Sequence, residues 1–208
     1  MEKQLIRVII FDLGNVLIDF DHSIAARRIS RFCDKTPQEI FELFFSSGIT
    51  TLFERGKISP DDFFLKVKEM LKLKINYDNF VHIWNEIFFL SAKNRAVFAL
   101  ANSLRANQRI IVLSNINILH FEYLKKYFPI FSIFERVFTS FELGAVKPDP
   151  EIYNKVMEIL GVPAENIFYT DDRPELVASA DNLGIRSVVF DTPVQLRRDL
   201  SRAGVNVS

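Results

Sequence analysis

Four short runs of consecutive apolar, largely β-branched residues punctuate the chain: Val8-Ile9-Ile10-Phe11, Ile110-Ile111-Val112-Leu113, Ile167-Phe168-Tyr169-Thr170 and Ser187-Val188-Val189-Phe190. Each is followed by polar or turn residues and then by helical patterning. Continuous apolar runs that alternate with helices predict parallel strands buried on both faces. Arg136-Val137-Phe138-Thr139 is a weaker fifth strand. Asp149-Pro150 and Thr192-Pro193 each set a capping side chain before a proline at the first helical position. Gly161 and Gly184 stand where helices should end. The expected architecture is a doubly wound α/β core, a Rossmann-like parallel sheet.

Residues 21–90 break this alternation, because no convincing strand occurs there. Thr36-Pro37-Gln38-Glu39 fits a capping box with proline at the first position, and Ser59-Pro60-Asp61-Asp62 is a near relative of it. They open two amphipathic helices, Ile40 to Phe45 and Phe63 to Leu73. The pattern divides the chain into an α/β core, residues 1–20 and 91–208, and an inserted helical unit, residues 21–90. No repeat or low-complexity linker interrupts either part.

Composition narrows the partners. The 208 residues include 26 basic and 26 acidic side chains, and no Lys/Arg run occurs. That balance argues against nucleic acid or an anionic membrane as the main partner. Cys33 is the only cysteine, so neither an internal disulfide nor a thiolate metal cluster can form. No apolar stretch approaches the roughly 18 residues of a spanning helix. Arg7 and Asp12 interrupt the apolar start, which reads as a strand rather than a signal peptide. A cytoplasmic protein is expected. Oligomeric state is not legible.

The chemistry gathers where the strands end, the edge at which open α/β sheets bind ligands. Asp12 follows the first run, Ser114 and Asn115 the second, Lys147 the weak strand, and Asp171 and Asp172 the fourth. Three close carboxylates repel one another unless a divalent cation or shared protons lie among them. A lysine and a hydroxyl are what an incoming phosphate needs. The set suggests magnesium-assisted phosphoryl chemistry on a small phosphorylated molecule, with a carboxylate nucleophile.

Taken in order, Phe11-Asp12-Leu13-Gly14-Asn15-Val16-Leu17, Leu113-Ser114-Asn115, Lys147-Pro148-Asp149-Pro150-Glu151-Ile152-Tyr153 and Thr170-Asp171-Asp172 resemble the four motifs of the haloacid dehalogenase (HAD) superfamily. The insertion resembles that family's helical cap. The form of the first motif is similar to a branch containing α-glucose-1-phosphate phosphatases. The resemblance implies that Asp12 attacks phosphorus and that Ser114 and Asn115 hold phosphoryl oxygens. It implies that Lys147 neutralises the gathered charge. Mg²⁺ would lie on Asp12, the Gly14 carbonyl and Asp172, with Asp171 ligating or orienting.

Two positions depart from the family pattern. Gly14 stands where its phosphatases usually carry an acid–base aspartate, work worth about 10²–10⁴-fold. Leu176 stands where relatives often place Asn or Asp near the metal. A missing acid suits a leaving group that needs little protonation, such as an anomeric sugar phosphate, or else a replacement donor among Asp19, Asp21 and His22. The alternatives are a catalytically weak binding protein and, less favoured, a dehalogenase, whose first motif carries an aromatic at the position of Gly14. A receiver-like signalling domain is excluded by motif order. In the insertion, Arg55 and Lys57 on the Phe53–Ser59 loop are candidate substrate contacts. His82 and His120 lack ligand spacing. Ten of the 21 phenylalanines fall within residues 21–90. Neighbours such as Phe44-Phe45, Phe63-Phe64 and Phe88-Phe89 cannot all face one helix stripe, so some should line a substrate pocket.

Overall fold

The computed structural model describes residues 5–207. Strand β1 (Val8–Phe11) leads to β2 (Asp19–Phe20) and then to helices α1 (His22–Ile29), α2 (Pro37–Ser46), α3 (Ile49–Glu54), α4 (Pro60–Leu71) and α5 (Tyr77–Asn85), before β3 (Phe88–Phe89). Alternation follows: α6 (Ala92–Leu104), β4 (Arg109–Ser114), α7 (Ile118–Tyr127), β5 (Arg136–Thr139), α8 (Ser140–Leu143) and α9 (Pro150–Leu160). The chain closes with β6 (Ile167–Asp171), α10 (Pro174–Asp181), β7 (Arg186–Val189) and α11 (Pro193–Arg202).

Five strands form one parallel sheet in the order β5-β4-β1-β6-β7. The chain steps outward from β1 through β4 to β5, then restarts on the other side with β6. This is the doubly wound order expected from the sequence, and its switch point lies beside β1. The continuous apolar runs are explained by two-sided burial. Ile9, Phe11, Val112 and Phe168 pack on one face, and Val8, Ile10, Ile111 and Tyr169 on the other.

The helices α1 to α5 have an aromatic core of their own. Phe53 stacks on Phe63 with ring centroids 4.3 Å apart, and Phe80 and Trp84 continue the cluster. The capping expected from the sequence is present at α2, where Thr36 and Glu39 bond reciprocally, and at α4, where Ser59 accepts from the Asp62 amide. Phe63 and Phe64 are both buried, so α4 is packed on two sides rather than along one stripe. Phe44 is buried while Phe45 is 55% exposed.

One expectation fails at the base of the insertion, which does contain strand. β2 and β3 pair antiparallel, Asp19 opposite Phe89 and Phe20 opposite Phe88. Two-residue strands have no periodicity to read, and only the return of the chain brings these segments together. Among the described residues, no helix is long and apolar enough to cross a membrane.

Candidate active site

Asp12 directly follows β1, and its backbone amide donates to the Thr170 carbonyl at 2.9 Å, which ties it to the neighbouring strand β6. Ser114 ends β4 and Asp171 ends β6, so adjacent parallel strands deliver three polar groups to one edge. Lys147 reaches the same point from the loop before α9. Its Nζ donates to Asp12 Oδ1 at 2.6 Å, Asp171 Oδ2 at 2.6 Å and the Leu113 carbonyl at 3.1 Å. All three ammonium protons are therefore used.

Burial and the neighbouring charge of Asp171 push the Asp12 carboxyl up to about 7, against the pull of Lys147. Burial would also raise Asp171, but Lys147, the Tyr169 hydroxyl and the Arg173 amide bond to it, and the balance holds it low. Burial would lower Lys147; the two carboxylates outweigh it and keep the lysine charged. Asp172 is raised, mainly by burial. Asp12, Asp171 and Asp172 can each bring one oxygen within 4.8 Å of the others, an all-oxygen donor set that suits a hard divalent cation.

Asn15, which has no role assigned from its place in the first motif, donates from Nδ2 to Asp172 Oδ2 at 2.9 Å. It thus orients the carboxylate whose support Leu176 had put in question. Its φ of 55° is a left-handed value that asparagine tolerates better than most residues. Leu176 is buried at this edge, its carbonyl accepting from the Tyr153 hydroxyl.

Three expected roles change. The Asn115 side chain exchanges two 2.8 Å bonds with the Lys147 backbone, Nδ2 to the carbonyl and Oδ1 from the amide. It clamps the lysine loop and leaves only its own backbone amide for a phosphoryl oxygen. Asp149 does not cap α9; its carboxylate instead accepts from the Arg55 guanidinium at 2.5 Å, a strap from the helical insertion to the core. Lys57 does not line the cavity, whereas Arg55 does. The cause is Gly56, whose φ of 63° turns the chain and whose missing Cβ lets it lie against the Phe141 carbonyl. Lys57 is carried past the opening towards Gly144.

The cavity, partly open to solvent, has a volume of about 700 Å³ between core and insertion. Asp12, Gly14, Asn15, Ser114, Lys147 and Asp172 line its core side. Phe41, Phe44, Phe45, Thr50, Thr51, Glu54 and Arg55 line the helical side, with Phe20, Asp21, His22 and Phe88 at the junction. The phenylalanine excess of the insertion thus does furnish a partly aromatic wall. Gly14 is explained by close approach: a Cβ there would lie 2.6 Å from Cε1 of Phe20. That ring is braced by His22 and Phe88, at centroid distances of 5.0 and 6.2 Å.

The candidate replacement donors are in their deprotonated, non-acidic forms at neutral pH. Asp19 bonds to Lys93 at 2.8 Å and Asn94 at 3.0 Å, and lies outside the cavity. Asp21 caps α1, and its bonds to Ser23 hold its carboxyl below the usual range. Burial lowers His22 to about 4, against the charge of Asp21.

His120 is a satisfied core residue, with Asn117 Nδ2 at 3.1 Å from Nδ1 and the Trp84 carbonyl at 3.0 Å from Nε2. A carbonyl can only accept, so the proton of the neutral ring is on Nε2. Burial, and then the neighbouring His22, lower its pKa to about 3. A folded pKa below the unfolded value near 6.5 means that the stabilising neutral form is fully present above pH 6.5 and is lost as pH falls towards 3. Asp12 and Glu54, both raised to about 7, take up protons in the folded state over an overlapping range and oppose this slope. The prediction is therefore a difference between proteins. From pH 7.5 to 5, wild type should lose about 2 kcal/mol more stability than His120→Phe, measured by urea unfolding. Parallel pH profiles would show that His120 is not held neutral.

A parallel sheet that gathers carboxylates, a hydroxyl and a lysine at its switch point, under a helical roof, defines a class of α/β hydrolases. The family model described as haloacid dehalogenase-like hydrolase matches residues 6–184, and the chain belongs to that family. It is 22% identical over 204 residues to D-ribitol-5-phosphate phosphatase of Bacteroides thetaiotaomicron, covering 95% of this chain and 98% of that one. It is also 29% identical over 200 residues to drimenol cyclase drtB of Aspergillus calidoustus, where 95% of this chain spans 36% of the relative's length. A HAD family enzyme of Bacteroides thetaiotaomicron, solved in complex with magnesium and inorganic phosphate, superposes with a TM-score of 0.79 at 27% identity. That match covers 90% of this chain and 95% of the other.

Proposed function

We propose that the protein is a magnesium-dependent phosphatase of a small phosphorylated metabolite, working through an aspartyl-phosphate on Asp12. One observation carries the reading: Asp12 has one oxygen fixed by Lys147 at 2.6 Å while its carboxylate lines a partly open cavity beside Ser114 and Asp172. A carboxylate held by one oxygen is oriented to attack with the other. The attack forms an O–P bond as the bond from phosphorus to the leaving oxygen breaks. Water then attacks phosphorus and frees Asp12 and inorganic phosphate. Lys147 stabilises charge on the transferring group, and Ser114 with the Asn115 amide accommodates its oxygens. Asp12, the Gly14 carbonyl and Asp172 would hold Mg²⁺, with Asp171 positioning because both its oxygens are already bonded. When bound, the cation would offset the carboxylate repulsion and draw electrons from the phosphoryl oxygens.

The unit formed by residues 21–90 acts as the cap over this site, with the β2–β3 pair as its stem and Arg55 as its strap. Its Thr50, Thr51 and Arg55 can meet hydroxyls of a polyol or sugar phosphate, consistent with the ribitol-phosphate relative. The test is phosphate release from ribitol 5-phosphate, glucose 1-phosphate and p-nitrophenyl phosphate, with magnesium and with a chelator. Magnesium-dependent release is the expected result. No release from any ester despite magnesium binding would favour the weak binding protein, and halide release from a 2-haloacid would favour a dehalogenase.

A further inference from the structure

From the wall of the cavity opposite the core, we infer that Glu54 is the proton donor to the leaving group, delivered by the helical insertion in place of the carboxylate missing at Gly14. The inference rests on the phosphatase reading and deepens it.

Geometry carries it. Glu54 is the last residue of α3 and lines the cavity that Asp12 also lines. Its neighbour Arg55 is strapped to Asp149 at 2.5 Å, two residues beyond Lys147, so the end of α3 is fixed to the catalytic loop. The Glu54 side chain makes no hydrogen bond or ion pair to any described residue. A carboxyl that lines the cavity with both oxygens uncommitted is free to serve a substrate. The position that would ordinarily hold the donor is filled by the Phe20 ring, 2.6 Å from where a Cβ on Gly14 would stand. Asp19, Asp21 and His22 are removed by their own bonds or by deprotonation, as described above.

The state of the group agrees with the placement. Burial raises the Glu54 carboxyl to about 7, although the facing cations Arg173 and Lys147 pull it down. A sizeable fraction is then protonated at neutral pH, the condition for a general acid. As the Asp12 oxygen bonds to phosphorus and the ester P–O bond breaks, the Glu54 proton passes to the departing oxygen and an alcohol leaves. The resulting carboxylate takes a proton from the water that attacks the aspartyl-phosphate. Glu54 is thereby reprotonated and Asp12 regenerated.

The test compares kcat/KM, which reports steps only through release of the leaving group. The substrates are 2,4-dinitrophenyl phosphate, whose phenolate needs no proton, and the alkyl phosphate that wild type turns over fastest. Glu54→Gln should lower kcat/KM for the alkyl ester by about 10²–10⁴-fold and for the aryl ester by less than about fivefold. Glu54→Asp should recover part of the alkyl activity. Because return of the base is also lost, the Gln variant should release one equivalent of dinitrophenolate in a burst before a slow steady state. Equal losses on both esters, no loss on either, or a wild type confined to the aryl ester would each overturn the inference. Should Glu54→Gln fail to fold, as judged by circular dichroism, the Asp variant carries the comparison, with selective loss on the alkyl ester expected and equal loss overturning it. The phosphatase reading fails separately, by absence of phosphate release from wild type on every ester.

Discussion

Asp12→Asn should yield a folded protein whose phosphate release falls by on the order of 10⁴-fold or more, since removal of a covalent nucleophile costs that much in enzymes of this kind. The amide has nearly the shape of the carboxylate and can still accept from Lys147, so the cavity is preserved. Stability should move the other way. With its folded pKa raised to about 7, Asp12 is disfavoured in its charged form within the fold. That penalty is absent at pH values below the unfolded pKa near 4 and complete above pH 7. At pH 8 with a chelator present, Asp12→Asn should therefore be at least as stable as wild type in urea unfolding. A clearly less stable variant would mean that Lys147 outweighs burial and Asp171 at this site.

Lys147→Met should lose both activity and stability. The thioether fills the channel of the lysine stem, but it leaves three oxygens without their donor, those of Asp12, Asp171 and the Leu113 carbonyl. Breaking a buried pair from one side costs about 3–5 kcal/mol, and removing a charge that faces the transferring group costs about 10²–10³-fold in kcat. The stability loss should be largest in metal-free protein at pH 8. It should shrink as pH falls, because both carboxylates, freed of the cation, take up protons more readily. A loss under about 1 kcal/mol at pH 8 would contradict the view that Lys147 neutralises this cluster. Set beside Asp12→Asn, the result separates a residue that reacts from one that also holds the site together.

The sequence exposes the core because a strand buried on two faces must be apolar throughout, as Val8–Phe11 is. The catalytic cluster is legible for a related reason, since polar residues that interrupt such runs fall at strand ends. What escapes is whatever depends on a distant partner. Asn115 looks like a phosphate ligand until Lys147 folds back on it. Asp149 looks like a cap until Arg55 arrives from 94 residues away. Lys57 and Arg55 are equivalent in a loop, and only the turn at Gly56 directs one inward and the other past the opening. Glu54 has no signal of its own. A glutamate at the end of a short helix is ordinarily in water, and its chemistry comes from the roof of which it forms part.

The contact between Phe20 and Gly14 joins two parts of the chain, the loop that carries Asp12 and the strand pair through which the helical insertion meets the core. Phe20 belongs to β2, paired with Phe88 of β3 where the insertion leaves the core. A side chain at position 14 would force the Phe20 ring to shift, and that ring belongs to the strand pair. A displacement of the β2–β3 pair would therefore carry with it the side chain that covers Gly14, and with it the surroundings of Asp12.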